Sequence, residues 1–292
     1  MASRSQWIAA TRPRTLPAAI APVLVGAAIA RSFDAFDALL SALAAVVALM
    51  LQIGVNFSND YSDGIRGTDA QRVGPARLVG SGAAPAATVK RAAFACFGSA
   101  AVAGLGIVAI TGDWWLVLIG LLAIVSAWYY TGGTNPYGYA GLGEVFVFVW
   151  FGLVAVIGTE FIATQSLSVR GLLYGTGAGA LSCALLVANN LRDIPTDREV
   201  GKRTLAVIMG DKRSRLFYVA LVWVALIVPF IDIALGGTRW LALALLAAVS
   251  AHVPGRAVLG GAQGRELIAV LAGTSRTLLV WAAAVAAALV IG

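Results

Sequence analysis

The sequence predicts an all-α integral membrane protein, a bundle of about nine transmembrane helices with the N-terminus cytoplasmic and the C-terminus outside. Three observations carry this. Hydrophobic residues make up 60% of the chain and charged residues 12%, about half the charge that a water-facing domain uses. The apolar residues are gathered into long runs. The lysines and arginines fall on alternate connections between those runs.

A hydrocarbon core about 30 Å thick needs roughly 20 apolar residues per helix, fewer where polar ends reach the interface. Runs that meet this demand lie at 15–30, 38–55, 92–110, 114–131, 143–163, 171–191, 216–235, 240–259 and 274–291. Of the lysines and arginines, 18 lie before the first run or around the connections after the second, sixth and eighth; the connection after the fourth has none. The other 3, Arg31, Arg170 and Arg239, sit on the opposite side. Cytoplasmic connections are the ones enriched in lysine and arginine, so this asymmetry sets the orientation. A missed or invented span midway would scramble it. Trp114, Trp115 and Trp240 fall at the outer ends, where aromatic belts form.

The same pattern accounts for the net charge of +7, and no nucleic-acid partner is expected. The length of 292 residues suits a single transmembrane domain, 1–292, without a large soluble module. The N-terminal stretch lacks the order of a signal peptide, so the first run reads as a retained helix. Cys96 and Cys183 sit inside apolar runs without metal-ligand or disulfide spacing. Glu160 and Asp232 are expected at solvated outer ends.

Polar chemistry concentrates in two long inner connections, 59–91 and 192–215, which read as cytoplasmic active-site loops. Asn56, Asn59, Asp60 and Asp63 stand at i, i+3, i+4 and i+7. They form one stripe if the second helix continues through them. Gly64 and Gly67 would then break the helix and let Arg66 and Asp69 fold back. Asn189, Asp193 and Asp197 form a second stripe at i, i+4 and i+8, with Pro195 demanding a local kink. Both stripes contain Asn-x-x-x-Asp, and both end an even-numbered helix.

Single aspartates at helix ends are ordinarily caps. Two matched stripes on one membrane face are a functional expectation instead. Mg²⁺ binds through one or two carboxylates plus substrate phosphates, so opposed acidic stripes suit a diphosphate held by magnesium. The candidate catalytic residues are Asp60, Asp63, Asp193 and Asp197. The candidate metal ligands are Asp63, Asp69, Asp193 and Asp197, with the amide oxygens of Asn59 and Asn189. Arg66, Arg77, Arg192 and Lys202 are the candidate diphosphate ligands. The connection after the fourth run has no basic residue. Its Tyr137 and Tyr139 are candidates to stack on a flat aromatic acceptor, and Glu144 to meet a ring hydroxyl.

At these residues the chain resembles the UbiA superfamily of membrane prenyltransferases. Asn59-Asp60-Tyr61-Ser62-Asp63 matches its first motif, Asn-Asp-x-x-Asp, and Asp193 with Asp197 matches its second, Asp-x-x-x-Asp. Where many members carry a further aspartate the chain has Gly67, and Asp69 is the substitute. The segments RPRTLPAAIAPVLVG, NDYSDGIRGTDAQRVGPARLVGSG, YTGGTNPYGYAGLGEVFVFVWFG and NNLRDIPTDREVGKRTLAVIMG resemble the branch that prenylates 1,4-dihydroxy-2-naphthoate. The resemblance implies a multi-pass protein of the inner (plasma) membrane that uses Mg²⁺. It implies that a polyprenyl group passes from polyprenyl diphosphate to the naphthoate, with loss of carbon dioxide and diphosphate. Two other chemistries use membrane aspartates. The CDP-alcohol phosphotransferase run opens like Asp60-Tyr61-Ser62-Asp63-Gly64 and then fails to match. A transporter would place its acids nearer the midplane.

Overall fold

A computed structural model describes residues 2–67 and 77–292. Eleven helices form it, and no strand is present among the described residues. They are α1 (Arg4–Ala10), α2 (Pro17–Ser32), α3 (Ala38–Arg66), α4 (Ala86–Thr111), α5 (Leu116–Tyr129) and α6 (Gly143–Thr164). There follow α7 (Val169–Glu199), α8 (Leu205–Met209), α9 (Asp211–Ala234), α10 (Arg239–Leu259) and α11 (Glu266–Ile291). Seven of them, α3, α4, α6, α7, α9, α10 and α11, are long and apolar enough to cross a membrane. The stretch Arg4–Thr15 and α2 pass that test only together, as a pair bent by 50°, and α5 is a shorter apolar helix of 14 residues.

Local chemistry sets the ends. Asp37 caps α3 by accepting from the Leu40 amide at 2.8 Å, Ser168 caps α7 at the Gly171 amide, and Thr204 caps α8. Gly67 and Gly112 close α3 and α4 in the left-handed conformation. Helices α3 and α7 run on to Arg66 and Glu199, so residues expected to open the two long loops are helical. Apolar runs stop at the hydrocarbon edge. The backbone hydrogen bonds do not, because tertiary partners hold the polar turns beyond it. Helix α7 passes through Pro195. Helix α3 likewise passes through Gly64 instead of breaking there. Gly64 leaves room for residues 79–80, since a Cβ would lie 2.5 Å from Val79 Cγ1.

Two packing regimes divide the bundle. A dense core joins α2, α7, α9, α10 and α11 around Tyr174, Leu181, Tyr218, Leu278 and Trp281. Small residues bring α6 close against α7 of this core: a Cβ on Gly152 would sit 2.5 Å from Gly179 Cα. Trp281 is fully buried and donates from Nε1 to the Ala225 carbonyl at 2.9 Å. On the other side, α3, α4 and α5 hold only small clusters, around Phe57, Val89 and Phe97 and around Leu40, Ile107 and Ile162. A cavity of about 850 Å³ separates the two regions.

Glu160 and Asp232 are not solvated, contrary to the sequence expectation. Glu160 is completely buried, its carboxyl group lying over Gly171 in the first turn of α7. Asp232 accepts from the Tyr174 hydroxyl at 2.9 Å and pairs with Arg170 at 3.3 Å.

Candidate active site

The cavity follows one face of α3. Ala44, Val47, Ala48, Leu51, Gln52, Val55, Asn56, Asn59, Asp60 and Asp63 all line it, the three-and-four spacing of a single helical stripe. Its walls are apolar along the far half, with Leu105, Ile107, Leu116 and Ile162, and turn polar near Asn56. At the polar head it meets Arg77, Asn189, Asn190, Arg192 and Lys202. The structure therefore brings both predicted stripes to one end of one cavity.

The two stripes are held differently. Asp60 is 2% exposed, and both its oxygens accept backbone amides, Oδ2 from Leu78 at 2.8 Å and Oδ1 from Val79 at 2.9 Å. This carboxylate fixes the segment after Arg77 onto α3 while still lining the cavity. Asp63 lies one turn on, accepting from the Tyr139 hydroxyl at 2.7 Å and pairing with Arg77 at 3.1 Å. Asn59 Oδ1 accepts from the Thr131 hydroxyl at 2.7 Å. On α7, Arg192 grips Asp193 in a bidentate pair at 2.6 and 2.7 Å and also donates to Asn189 Oδ1 at 2.9 Å. Lys202 stands 3.6 Å from Asp197. The cations Arg77, Arg192 and Lys202 line the cavity, and Asp193 and Asp197 sit behind theirs.

Two further candidates lie outside the cavity lining. Arg66 is exposed and donates to the carbonyls of Thr131 and Gly133. It braces the turn between α5 and α6 and does not line the cavity. Tyr139 is not among the lining residues: its hydroxyl donates to Asp63, and its ring lies between Arg66 and Lys202 at 5.4 and 5.0 Å. Asp69 lies outside the described residues. The backbone ties the same turn to the second stripe, with the Arg203 amide donating to the Tyr139 carbonyl at 3.0 Å.

Tyr137 does line the cavity, stacked on Phe146 with centroids 3.9 Å apart, and its hydroxyl donates to the Ser126 carbonyl at 2.8 Å. Burial pushes its pKa up, so it is neutral at physiological pH. Glu144 is buried; its Oε1 accepts from Asn190 Nδ2 at 3.0 Å and its Oε2 has no hydrogen-bond partner. Glu144 is not itself among the lining residues; Asn190, Tyr130, Phe146 and Trp150 join Tyr137 there, and sequence reasoning did not single them out. Only Tyr130, beside the Gly132-Gly133 turn, carried a readable signal. Trp150 lies on the cavity face of α6 with Phe146 and Val154, at the start of a π-helical stretch, Val149–Val154, a distortion frequent at functional sites.

Among the described residues no three acidic, histidine or cysteine side chains converge into a metal-ligating group. The oxygens present, of Asn59, Asp63, Asn189, Asp193 and Asp197, are nonetheless the hard donors that suit Mg²⁺. That ion is ordinarily held by one or two carboxylates with substrate phosphates and not by an all-protein cage.

A membrane helical bundle with a charged cavity head and an apolar shaft defines a class, proteins that handle an amphiphile with an anionic headgroup. Residues 19–260 match the UbiA prenyltransferase family, and the chain belongs to that family. It is 50% identical to the 1,4-dihydroxy-2-naphthoate octaprenyltransferase of Mycobacterium tuberculosis, over 100% of this chain and 99% of that protein. Its fold is similar to a UbiA homologue from Aeropyrum pernix K1 with a TM-score of 0.74 at 16% identity, covering 92% of this chain and 96% of the other. It is also similar to a UbiA homologue from Archaeoglobus fulgidus bound to GPP and Mg²⁺, with a TM-score of 0.65 at 12% identity and coverage of 98% and 100%.

Proposed function

We propose that this chain is a magnesium-dependent transferase of the inner (plasma) membrane that moves a polyprenyl group from polyprenyl diphosphate to 1,4-dihydroxy-2-naphthoate. Carbon dioxide and diphosphate are lost and a demethylmenaquinone forms. The observation that carries the reading is the single cavity joining Asp63, Arg77, Arg192 and Lys202 to an apolar shaft. The name of the M. tuberculosis relative supports the acceptor, and the bound A. fulgidus homologue supports a prenyl diphosphate with Mg²⁺.

In this reading Arg77, Arg192 and Lys202 turn from their carboxylates to the phosphate oxygens, and the freed Asp63, Asp193 and Asp197, with Asn59 and Asn189, would hold Mg²⁺. Bound there, the metal would neutralise charge developing on the leaving diphosphate. The carbon–oxygen bond breaks with its electron pair going to diphosphate. Cavity walls of leucine, valine and alanine keep water from the allylic cation that remains. The naphthoate ring carbon bearing the carboxylate attacks that cation, and the carboxylate departs as carbon dioxide, returning its pair to the ring. Tyr137 and the Glu144–Asn190 pair flank the acceptor.

We read α2 and α5 as crossing the bilayer along with the seven long helices, and on that reading of nine spans the lysine and arginine distribution supports a cytoplasmic face for both stripes. A periplasm-active reporter fused after Gly292 should be active and one fused near Gly82 silent; the reverse pattern removes the cytoplasmic placement. The acceptor is tested with carboxyl-labelled 1,4-dihydroxy-2-naphthoate and purified protein. Labelled carbon dioxide should be released in step with diphosphate. Label retained in the prenylated product, or reaction with 4-hydroxybenzoate alone, would make the naphthoate assignment wrong.

A further inference from the structure

The far half of the cavity carries glycine on three different helices. Gly104 of α4, Gly120 of α5 and Gly158 of α6 all line it. A Cβ on Gly120 or Gly158 would meet no atom within 4 Å, and one on Gly104 would meet only Val47 Cγ2 at 4.0 Å. Each therefore borders open cavity and not a neighbouring helix, unlike Gly152 or Gly177, which are glycine because another helix presses on them.

The three lie at similar depth. The rings of Trp115 and Phe161, 5.3 Å apart, align the far ends of α5 and α6. Gly120 and Gly158 lie about 7 Å and about 4 Å nearer the polar head than these rings, at the helical rise. Gly104 is level with Val47, about 24 Å along α3 from Asp63. Beyond them the shaft is closed by Leu40, Ile107 and Ile162 with Leu43, Leu116 and Phe161. To one side it is open, because Leu105, Val117 and Leu121 line the cavity and are 51%, 41% and 56% exposed.

An extended isoprene unit spans about 5 Å, from four carbon–carbon bonds of roughly 1.5 Å each. A two-unit tail with its diphosphate at Asp63 stops well short of the glycine level. An eight-unit tail of about 40 Å must pass it, turn at the closed floor and leave past Leu105, Val117 and Leu121. We propose that Gly104, Gly120 and Gly158 are the specificity-determining residues for donor tail length, keeping open the passage through which a long prenyl chain reaches the bilayer. This rests on the cavity being the prenyl diphosphate site.

The test compares all-trans octaprenyl and geranyl diphosphates as donors to 1,4-dihydroxy-2-naphthoate, in wild type and in Gly104→Leu, Gly120→Leu and Gly158→Leu. Leucine is a better helix former than glycine, and a Cβ at Gly120 or Gly158 meets no atom within 4 Å, so these variants are expected to fold, which circular dichroism and detergent gel filtration check. The ratio of kcat/KM for octaprenyl over geranyl diphosphate should fall at least tenfold in each. Gly98→Leu, on the exposed face of α4 and outside the cavity, should leave the ratio at its wild-type value. Folded variants with an unchanged ratio, or an equal loss with both donors, overturn the proposal while the transferase reading stands. A folded wild type that uses neither donor overturns both.

Discussion

At the C-terminal end of α3 the carboxylates meet backbone amides, a tyrosine hydroxyl and Arg77 of the following segment. At the C-terminal end of α7 they meet cations that are near neighbours in sequence. Asp60 takes two backbone amides and Asp63 a tyrosine hydroxyl with Arg77. Asp193 and Asp197 take Arg192 and Lys202. Amides cannot leave Asp60 without unmaking the segment at Leu78 and Val79. Arginine and lysine side chains can exchange a carboxylate for a phosphate by rotating. The two stripes share a sequence motif but are held differently: Asp60 is fixed to the backbone at Leu78 and Val79, while Asp63, Asp193 and Asp197 face side-chain cations that can turn to an anion.

The largest expected effect comes from deleting the carboxylates that face exchangeable partners. Asp63→Ala and Asp193→Ala should each lower turnover by a factor of about 100 or more, since one preorganised electrostatic contact is worth roughly 3 kcal/mol. Protein should remain folded in the membrane, and substantial turnover at saturating Mg²⁺ in either variant would reduce the stripes to helix caps. Tyr139→Phe removes one hydrogen bond to a charged group, worth about 1.5–3 kcal/mol. It should cost roughly tenfold in kcat/KM, and a wild-type value would show that Asp63 needs no support from the α5–α6 turn.

Asp60→Asn sharpens the comparison through stability. It leaves one buried amide facing an amino group, at a cost of about 1–3 kcal/mol. Limited proteolysis should then cut near residues 81–84 faster than in wild type, and unchanged protection would deny the anchoring role. The smallest effect belongs to Arg66→Gln. Arg66 lies outside the cavity, so kcat/KM should change by no more than about threefold, the range of an exposed hydrogen bond. A loss like that of Asp63→Ala would return Arg66 to the diphosphate ligands.

Much of this was legible because membrane constraints are strong. Each apolar run falls on a helix, and the i, i+3, i+4, i+7 spacing of Asn56, Asn59, Asp60 and Asp63 placed them on one face of α3. That spacing could not separate Asp60 from Asp63, because their roles depend on which chain segment packs against each. The segment that claims Asp60 folds back through Gly64, whose missing Cβ reads in sequence as a helix breaker and acts in the structure as a seat for Val79. Tyr137 and Tyr139 posed the same problem: one residue turns toward Phe146 and the cavity, the other toward Asp63. Glu160 and Asp232 were misjudged because distance along a span says nothing of which neighbouring helix end receives a carboxylate.

The division of labour within the first stripe is tested most directly by metal binding. Mn²⁺ serves as the probe ion, with geranyl diphosphate present, and bound manganese is followed by electron paramagnetic resonance in wild type, Asp60→Asn and Asp63→Asn. The account predicts a wild-type bound signal in Asp60→Asn and its loss in Asp63→Asn. A signal lost in Asp60→Asn and kept in Asp63→Asn would contradict it.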